Sequence, residues 1–161
     1  MKLFALIVAG GVGSRMKSDI PKQFMLLNKR PVLMHTMQQF FAFHSKIELV
    51  IVLPENQLKT WQDLCVEHNI TLKHKLVCGG ESRFASVFNG LNEIEEEGIV
   101  FIHDGVRPLV SIDTIQRCYD ATLLKGNAIP VMPVIESLRR IGHEKNEAVN
   151  RAAFVSIQTP Q

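Results

Sequence analysis

An apolar run that leads directly into glycines opens the chain: residues 3–15 read LFALIVAGGVGSR. The first six of these residues are typical of a β-strand that is buried on both faces of a sheet. The glycines that follow allow the backbone to approach a ligand closely and to turn its amide groups toward it. This opening therefore predicts a central strand whose carboxyl end carries a binding loop.

Short apolar runs and helical patterns alternate along the rest of the chain. The runs predict strands at residues 49–53, 76–77, 99–102 and 128–134. The helical spacing of apolar residues predicts helices at residues 32–43, 55–68, 84–91 and 112–124. Such alternation implies one α/β domain over residues 1–161, with a mostly parallel sheet covered by helices on both faces. In such sheets, the loops at the carboxyl ends of the strands bind ligands.

A polar, charge-rich segment at residues 136–151 breaks this alternation. It fits either a surface loop or a projecting hairpin arm, and on spacing alone the plain loop is favoured. The chain then ends at Gln158-Thr159-Pro160-Gln161 without a terminal helical pattern. We therefore expect a last helix and strand to be missing from this sequence.

The composition excludes several classes of protein. With 46% hydrophobic and 21% charged residues, the chain is an ordinary globular sequence rather than a disordered one. The net charge of +2 is too small to indicate nucleic acid or a membrane as partner, and no apolar run is long enough to cross a bilayer. Cys65, Cys78 and Cys118 show no paired spacing, so we expect buried free thiols and a cytoplasmic location.

The glycine loop matches neither of the two common phosphate-binding motifs. Met16 stands where a dinucleotide-binding fingerprint needs its third glycine, and the Gly-Lys-Ser/Thr ending of a P-loop is absent. Two cations follow instead, Arg15 and then Lys22, which comes directly after Pro21. Fixed cations of this kind stabilise the charge that develops during phosphoryl or nucleotidyl transfer. The sequence thus predicts a triphosphate site, with a plain strand-to-helix turn and two surface cations as the alternative.

A second glycine-containing loop follows the predicted strand at residues 76–77. Here Gly80 would let the backbone meet the edge of a planar base, and Ser86 would offer a hydroxyl group. Taken alone, this segment is read equally well as a turn with a serine cap on the next helix.

The third loop, residues 103–108, reads HDGVRP and ends the strongest later strand. Asp104 is a candidate ligand for Mg²⁺, because this hard cation prefers oxygen donors and often takes a single carboxylate beside phosphates. Gly105 leaves room for a ribose, and Arg107 would pair with a second anionic substrate. The alternative is an Asp–Arg ion pair that only orders the turn. His103 is interpreted as a structural hydrogen-bonding residue.

Together these motifs resemble the 2-C-methyl-D-erythritol 4-phosphate cytidylyltransferase family over nearly the whole chain. The resemblance is carried by residues 8–16 (VAGGVGSRM), 20–24 (IPKQF), 79–83 (GGESR), 86–87 (SV), 103–108 (HDGVRP) and 158–161 (QTPQ). It implies a Rossmann-like nucleotidyltransferase sheet and a homodimer. It also implies a Mg²⁺-dependent transfer of CMP from CTP to 2-C-methyl-D-erythritol 4-phosphate, with release of pyrophosphate, in non-mevalonate isoprenoid precursor biosynthesis.

The resemblance also assigns roles to individual residues. It implies that Arg15 and Lys22 are catalytic and grip the triphosphate, and that Asp104 approaches Mg²⁺. The residues implied to line the nucleotide are Ala9, Gly10, Gly11, Gly13, Gly80, Ser86 and Gly105. Those implied to contact the sugar phosphate are Arg107, Ser137 and Arg151.

The same resemblance implies that residues 136–151 form a hairpin arm that embraces a partner subunit, against the preference from spacing. Two departures stand out. The family commonly has Asp where this chain has Glu136. The family also continues beyond the Gln-Thr-Pro-Gln motif and supplies a further Lys, so we expect this chain to lack its C-terminal end.

Three other interpretations stay open at this point. Ribitol-5-phosphate cytidylyltransferases are similar in the glycine loop and in the Asp-x-x-Arg-Pro segment. Hexose-1-phosphate nucleotidyltransferases are more distant, because they usually place more residues between the loop arginine and the Pro-Lys pair. The third is a truncated, non-catalytic module that binds nucleotide or forms dimers.

Overall fold

A computed structural model describes residues 1–10, 20–142 and 146–161 of the chain. The strands are β1 (Lys2–Val8), β2 (Leu26–Leu27), β3 (Arg30–Pro31), β4 (Glu48–Leu53), β5 (His74–Cys78), β6 (Gly98–Asp104), β7 (Val131–Pro133), β8 (Leu138–Ile141), β9 (Asn146–Val149) and β10 (Val155–Ile157). The α-helices are α1 (Val32–Phe43), α2 (Glu55–Glu67), α3 (Arg83–Asn92) and α4 (Ile112–Lys125). Short 3₁₀ helices lie at Lys22–Phe24 and Arg151–Ala153.

The main sheet confirms the predicted α/β fold. Its four strands are parallel and run in the order β5-β4-β1-β6. Ala5 at the centre of β1 is paired with Leu49 on one side and Phe101 on the other. Every residue of β1 after Lys2 is buried, as expected for a strand that is covered on both faces.

Helices cover both faces of this sheet, and the alternation of side chains along β1 decides which face each residue supports. Leu3, Ala5 and Ile7 pack in one core, to which α1, α2 and α4 contribute residues such as Phe40, Trp61 and Ile115. Leu6 and Val8 point to the opposite face, where Val50, Val52 and Val77 join them and Val87 of α3 packs against the cluster. The loops after the strands are thereby anchored from both sides.

The strand predicted at residues 128–134 is shorter than predicted and lies outside the main sheet. Only Val131–Pro133 forms a strand, and it pairs antiparallel with β10 in a separate two-stranded sheet. Proline explains the difference, because Pro130 and Pro133 have no N–H group to donate to a central ladder. The chain after β10 returns to the main sheet, where Gln161 and Ile102 exchange two backbone hydrogen bonds of 2.8 and 3.0 Å.

Residues 136–151 contain an antiparallel strand pair, so the preference for a plain loop is wrong. Leu138 of β8 lies opposite Val149 of β9. The pairing is supported by polar side chains: Arg139 donates to the Oδ1 atom of Asn146 at 2.5 Å and to its carbonyl oxygen at 2.6 Å. Cross-strand pairs of this kind stabilise a ladder without an apolar face, which is why no apolar alternation marks it in the sequence.

The three cysteines are free, as predicted, but they are not all buried. Cys118 is buried, Cys65 is half-buried and Cys78 is exposed beside the loop that follows β5. Burial raises the pKa of the Cys65 thiol to about 11, so that thiol stays protonated and unreactive at neutral pH.

Across the described ranges, every helix is too short or too polar to span a lipid bilayer.

Candidate active site

The carboxyl ends of the parallel strands bring the predicted loops to one edge of the sheet. One further hydrogen bond extends each ladder past the strand end: Ala9 N–H donates to Val52 O at 2.9 Å, and Gly105 N–H donates to Val8 O at 2.8 Å. Gly79 N–H likewise donates to the carbonyl oxygen that ends β4, at 2.8 Å. The backbone after β1 therefore lies between the loops after β5 and β6, as the topology predicts.

Gly105 permits a close approach between the ends of β1 and β6. A Cβ atom built on Gly105 would lie 2.7 Å from the Cβ atom of Ala9, which is too short for any real contact. The carbonyl group of Gly105 accepts a hydrogen bond of 2.9 Å from the Thr36 hydroxyl of α1. This position thus requires glycine for packing between the ends of β1 and β6.

Lys22 lies in a 3₁₀ turn that its neighbours attach to the core. The side-chain amide of Gln23 is buried and donates to the carbonyl oxygen of Ala9 at 2.8 Å. Phe24 is also buried and stacks on Trp61, with ring centroids 6.0 Å apart. Lys22 itself is half-buried, and no hydrogen bond or ion pair joins its side chain to another residue of the described ranges. The turn that carries Lys22 is therefore attached to the end of β1 through Gln23, and no described contact keeps the Lys22 side chain from a ligand.

Other predicted residues of the glycine loop cannot be placed in the same way. Gly10 is exposed, and a Cβ atom built on it would meet no atom of the described residues within 4 Å. Gly11, Gly13 and Arg15 lie outside the described residues, so their predicted roles stay predictions.

Ser86 forms a hydrogen bond that fixes the loop after β5. Gly80 N–H donates to the Ser86 hydroxyl oxygen at 3.1 Å, and the same side chain is buried. Gly80 has no room for a side chain, since an added Cβ atom would lie 2.5 Å from that of Ala85. The cap of α3 is a different serine, Ser82, whose oxygen accepts from Ala85 N–H at 3.0 Å. The serine cap considered from the sequence is thus present, on Ser82 and not on Ser86, and the nucleotide-binding roles of Gly80 and Ser86 stay predictions.

Asp104 forms ion pairs with two arginines. Arg107 Nε donates to Asp104 Oδ2 at 2.9 Å, so the turn-ordering ion pair considered from the sequence does exist. Arg83, at the start of α3, donates from Nε and Nη2 to Asp104 Oδ1, both at 3.3 Å. The sequence pattern indicates no role for Arg83, although this residue ends the Gly79–Arg83 motif. The signal for it is only spatial, because Arg83 and Asp104 are 21 positions apart.

Gln158 and His103 hold Arg107 from two further sides. Arg107 Nη1 donates to the side-chain oxygen of Gln158 at 3.1 Å. The His103 ring is fully buried and its Nε2 atom lies 3.1 Å from the carbonyl oxygen of Arg107; since a carbonyl only accepts, Nε2 carries the hydrogen. Burial lowers the pKa of His103, so the ring is neutral at physiological pH. This geometry agrees with the structural role predicted for His103.

Beside Arg107 lies a cavity of about 500 Å³ between the loop after β6, the start of α4 and β7. Its lining includes Gln158 and Thr159, and the hydroxyl oxygen of Thr159 is buried without a partner in the described part of the chain. The motif that ends the sequence therefore contributes to this site, a feature that spacing did not reveal.

Ser137 and Arg151 are not joined to this edge. Ser137 is exposed between β7 and β8. Arg151 is exposed and donates from Nη1 to the carbonyl oxygen of Ile135. Within the residues that can be placed, neither side chain hydrogen bonds to Asp104 or Arg107.

The residues present suit a magnesium ion that arrives with phosphate oxygens. Asp104 is a carboxylate at this edge and about a quarter exposed; Oδ2 accepts one hydrogen bond from Arg107 and keeps a second electron pair, whereas Oδ1 accepts both hydrogen bonds of Arg83. Among the described residues, no group of three or more His, Cys, Asp or Glu side chains could hold a metal ion alone. A single carboxylate with substrate phosphates is a common environment for Mg²⁺.

Comparison with known proteins agrees with this arrangement. The family model for 2-C-methyl-D-erythritol 4-phosphate cytidylyltransferase matches residues 3–161. The enzyme of that name from Porphyromonas gingivalis is 49% identical, over 99% of this chain and 71% of that protein. The one from Bacteroides thetaiotaomicron is 44% identical, over 100% of this chain and 74% of that protein.

Solved structures agree as well. The crystal structure of the enzyme from Thermus thermophilus matches with a TM-score of 0.74 and 30% identity, over 99% of this chain and 69% of that one. The synthase from Anaerococcus prevotii has the same fold, with a TM-score of 0.78 and 24% identity, over 99% of this chain and 68% of that one. The resemblance that the motifs indicated is confirmed, and the chain belongs to the 2-C-methyl-D-erythritol 4-phosphate cytidylyltransferase family.

Proposed function

We propose that this chain transfers a cytidylyl group from CTP to 2-C-methyl-D-erythritol 4-phosphate in isoprenoid precursor biosynthesis. A phosphate oxygen of the acceptor forms a bond to the α-phosphorus of CTP, the bond from that phosphorus to the β-phosphate oxygen breaks, and pyrophosphate leaves. The observation that carries the proposal is the meeting of Lys22, the Gly80 loop and the Asp104–Arg107 pair at one sheet edge, in a member of this family.

The reaction needs positioning and charge stabilisation more than proton transfer. An acceptor phosphate is already a nucleophile at neutral pH, so no general base is required. The neutral, buried His103 is engaged with the Arg107 backbone and supports this view. Lys22, and by the family resemblance Arg15, would stabilise the charge that builds on the oxygens of the attacked phosphorus.

The two glycine positions support the placement of the nucleoside. Gly80 and Gly105 are sterically obligatory, because a Cβ atom at either one would overlap a neighbouring alanine. We place the cytosine ring against Gly80 and Ser86, and the ribose against Gly105 and Ala9, in line with the residues that the family resemblance assigns to the nucleotide. Gly10 would contribute backbone next to the phosphates.

Asp104 would hold Mg²⁺ together with the triphosphate. When bound, magnesium supplies positive charge that offsets the phosphate charges and polarises the phosphorus under attack. Arg107 would receive the acceptor phosphate: its Nε and Nη1 atoms are used by Asp104 and Gln158, whereas Nη2 has no hydrogen-bond partner among the described residues. Ser137 and Arg151 would contact the same acceptor from a partner's arm.

The most direct test is pyrophosphate release by the purified protein with CTP and Mg²⁺. The proposal predicts release with 2-C-methyl-D-erythritol 4-phosphate and much less with ribitol 5-phosphate, assayed side by side. A preference for ribitol 5-phosphate would reassign the acceptor. CTP binding without release with either acceptor would favour the non-catalytic module and overturn the proposal.

We further infer a homodimer formed through the arm at residues 136–151, and a cytoplasmic location supported by the free thiols. Support for the dimer comes from apolar side chains on the β7–β10 pair that are about half exposed: Val131, Met132, Val155 and Ile157. On the hairpin itself, Ile141 is 83% exposed. A two-stranded sheet with uncovered apolar side chains is not stable alone and is typical of a surface that another chain covers.

The dimer predicts twice the chain mass by light scattering at micromolar concentration. Replacing Ile141 by aspartate should shift the mass toward the monomer, because it would place a charge in the interface. Replacing the exposed Val66 of α2 by aspartate is the matched control and should leave the mass unchanged. A strictly monomeric wild-type mass would contradict the inference.

A further inference from the structure

The two arginines on Asp104 are held in different ways. Arg107 is fixed on several sides: Nε reaches Asp104 at 2.9 Å, Nη1 reaches Gln158 at 3.1 Å, and its carbonyl oxygen accepts from His103. Arg83 makes two longer contacts of 3.3 Å, both to the single oxygen Oδ1. In the described ranges the Arg83 side chain has no other hydrogen bond or ion pair, and it is half exposed. Arg83 can therefore leave Asp104 without breaking any other side-chain contact of this kind.

While Arg83 stays in place, it opposes a metal ion at Asp104. Its guanidinium occupies electron pairs of Oδ1, and its positive charge repels a divalent cation that approaches the same carboxylate. Asp104 is only about a quarter exposed, so water screens this repulsion incompletely. A nucleoside triphosphate changes the balance, because it brings negative charge that partners both the cation and the released guanidinium.

We propose that Arg83 is a positioning residue that acts as a displaceable counter-ion of Asp104. It holds the carboxylate in the nucleotide-free enzyme and keeps free divalent cations off it. Arg83 leaves Asp104 when the metal arrives together with the nucleotide, so that the metal is bound in the ternary complex and not beforehand. This inference rests on the proposed function, in which Asp104 is a ligand of the metal.

Metal affinity in the absence of nucleotide tests this role. Titration of Mn²⁺ into the full chain, followed by electron paramagnetic resonance, should show weak binding in the wild type. Arg83→Gln should bind Mn²⁺ about ten-fold more tightly or better, because a repelling charge is removed. Arg83→Lys should remain close to the wild type, since it restores the charge.

Two controls separate this effect from a general change in charge. Lys59 pairs with Asp63 on the exposed surface of α2, so Lys59→Gln removes a surface ion pair and should leave Mn²⁺ binding unchanged. Adding Asp104→Asn to Arg83→Gln should abolish the gain. The inference is overturned if Arg83→Gln binds Mn²⁺ no better than the wild type, or if the gain survives without Asp104.

The displacement itself can be observed by nitrogen-15 NMR of the arginine Nε–H groups. The Arg83 signal should shift on addition of CTP with Mg²⁺, and much less with either one alone, whereas the Arg107 signal should stay near its starting position. An Arg83 signal that is unchanged in the presence of both would mean that the ion pair is purely structural. Neither measurement needs turnover, so failure of this inference is distinguishable from absence of cytidylyl transfer.

Discussion

Replacing Lys22 by alanine is expected to lower the turnover number by about 100- to 1,000-fold, the usual loss when one fixed charge or donor at a developing oxyanion is removed. The fold should persist, because the Lys22 side chain forms no hydrogen bond or ion pair within the described residues and its turn is anchored by Gln23 and Phe24. The loss should fall on kcat more than on the affinity for CTP, since the charge is needed most in the transition state. Steady-state pyrophosphate release and thermal unfolding together provide the measurement.

Lys59→Ala is the matched control for this variant. Lys59 is an exposed lysine on α2, paired with Asp63 in the same helix and far in sequence from the loops of the edge. It should keep wild-type turnover. If Lys22→Ala also turned over at a near-normal rate, the catalytic cation would be a different residue and the assignment of Lys22 would be wrong.

The second large effect is expected at Gly105. In Gly105→Ala, the new Cβ atom would lie 2.7 Å from the Cβ atom of Ala9 and 3.1 Å from Leu33 Cδ1, so the ends of β1 and β6 would have to separate. Overpacking of this kind costs about 1–3 kcal/mol of the free energy of unfolding. Because Ala9 moves with Gly105, CTP affinity should fall as well. Chemical denaturation and calorimetric titration with CTP measure the two effects.

Gly10→Ala separates crowding from the mere addition of a methyl group. A Cβ atom on Gly10 would meet nothing within 4 Å in the described ranges, so the free energy of unfolding should change by no more than about 0.5 kcal/mol. Nucleotide affinity can still fall in this variant if Gly10 faces the phosphates. Equal stability of Gly105→Ala and the wild type would show that the two strand ends are not packed as tightly as described.

The elements with a strong local pattern were predictable from the sequence. The apolar run at residues 3–8 and the helical spacing in α1 follow from the periodicity of buried positions, and α1 has the predicted bounds. The hairpin at β8 and β9 was not marked by spacing, because polar pairs such as Arg139 with Asn146 stabilise it. The resemblance to the family indicated this hairpin, which the residue pattern of the segment did not.

In the candidate site, too, the sequence indicated some residues and missed others. Asp104, Gly105 and Arg107 were placed correctly at one edge, because every parallel strand ends there. Arg83 and Gln158 were missed, since their contacts with Asp104 and Arg107 join segments that are distant in sequence and depend on how α3 and β10 pack. The functions proposed for all of these site residues stay predictions, and for Gly11, Gly13 and Arg15 the position does so too.

We propose that one sheet edge binds CTP with its α-phosphorus between Lys22 and the Asp104–Arg107 pair. A crystal structure with a non-hydrolysable CTP analogue and Mg²⁺ tests it most directly. We expect the cytosine against Gly80 and Ser86, the triphosphate within reach of Lys22, and Mg²⁺ beside Asp104. A nucleotide bound elsewhere, with the Lys22 amine directed into solvent, would contradict it.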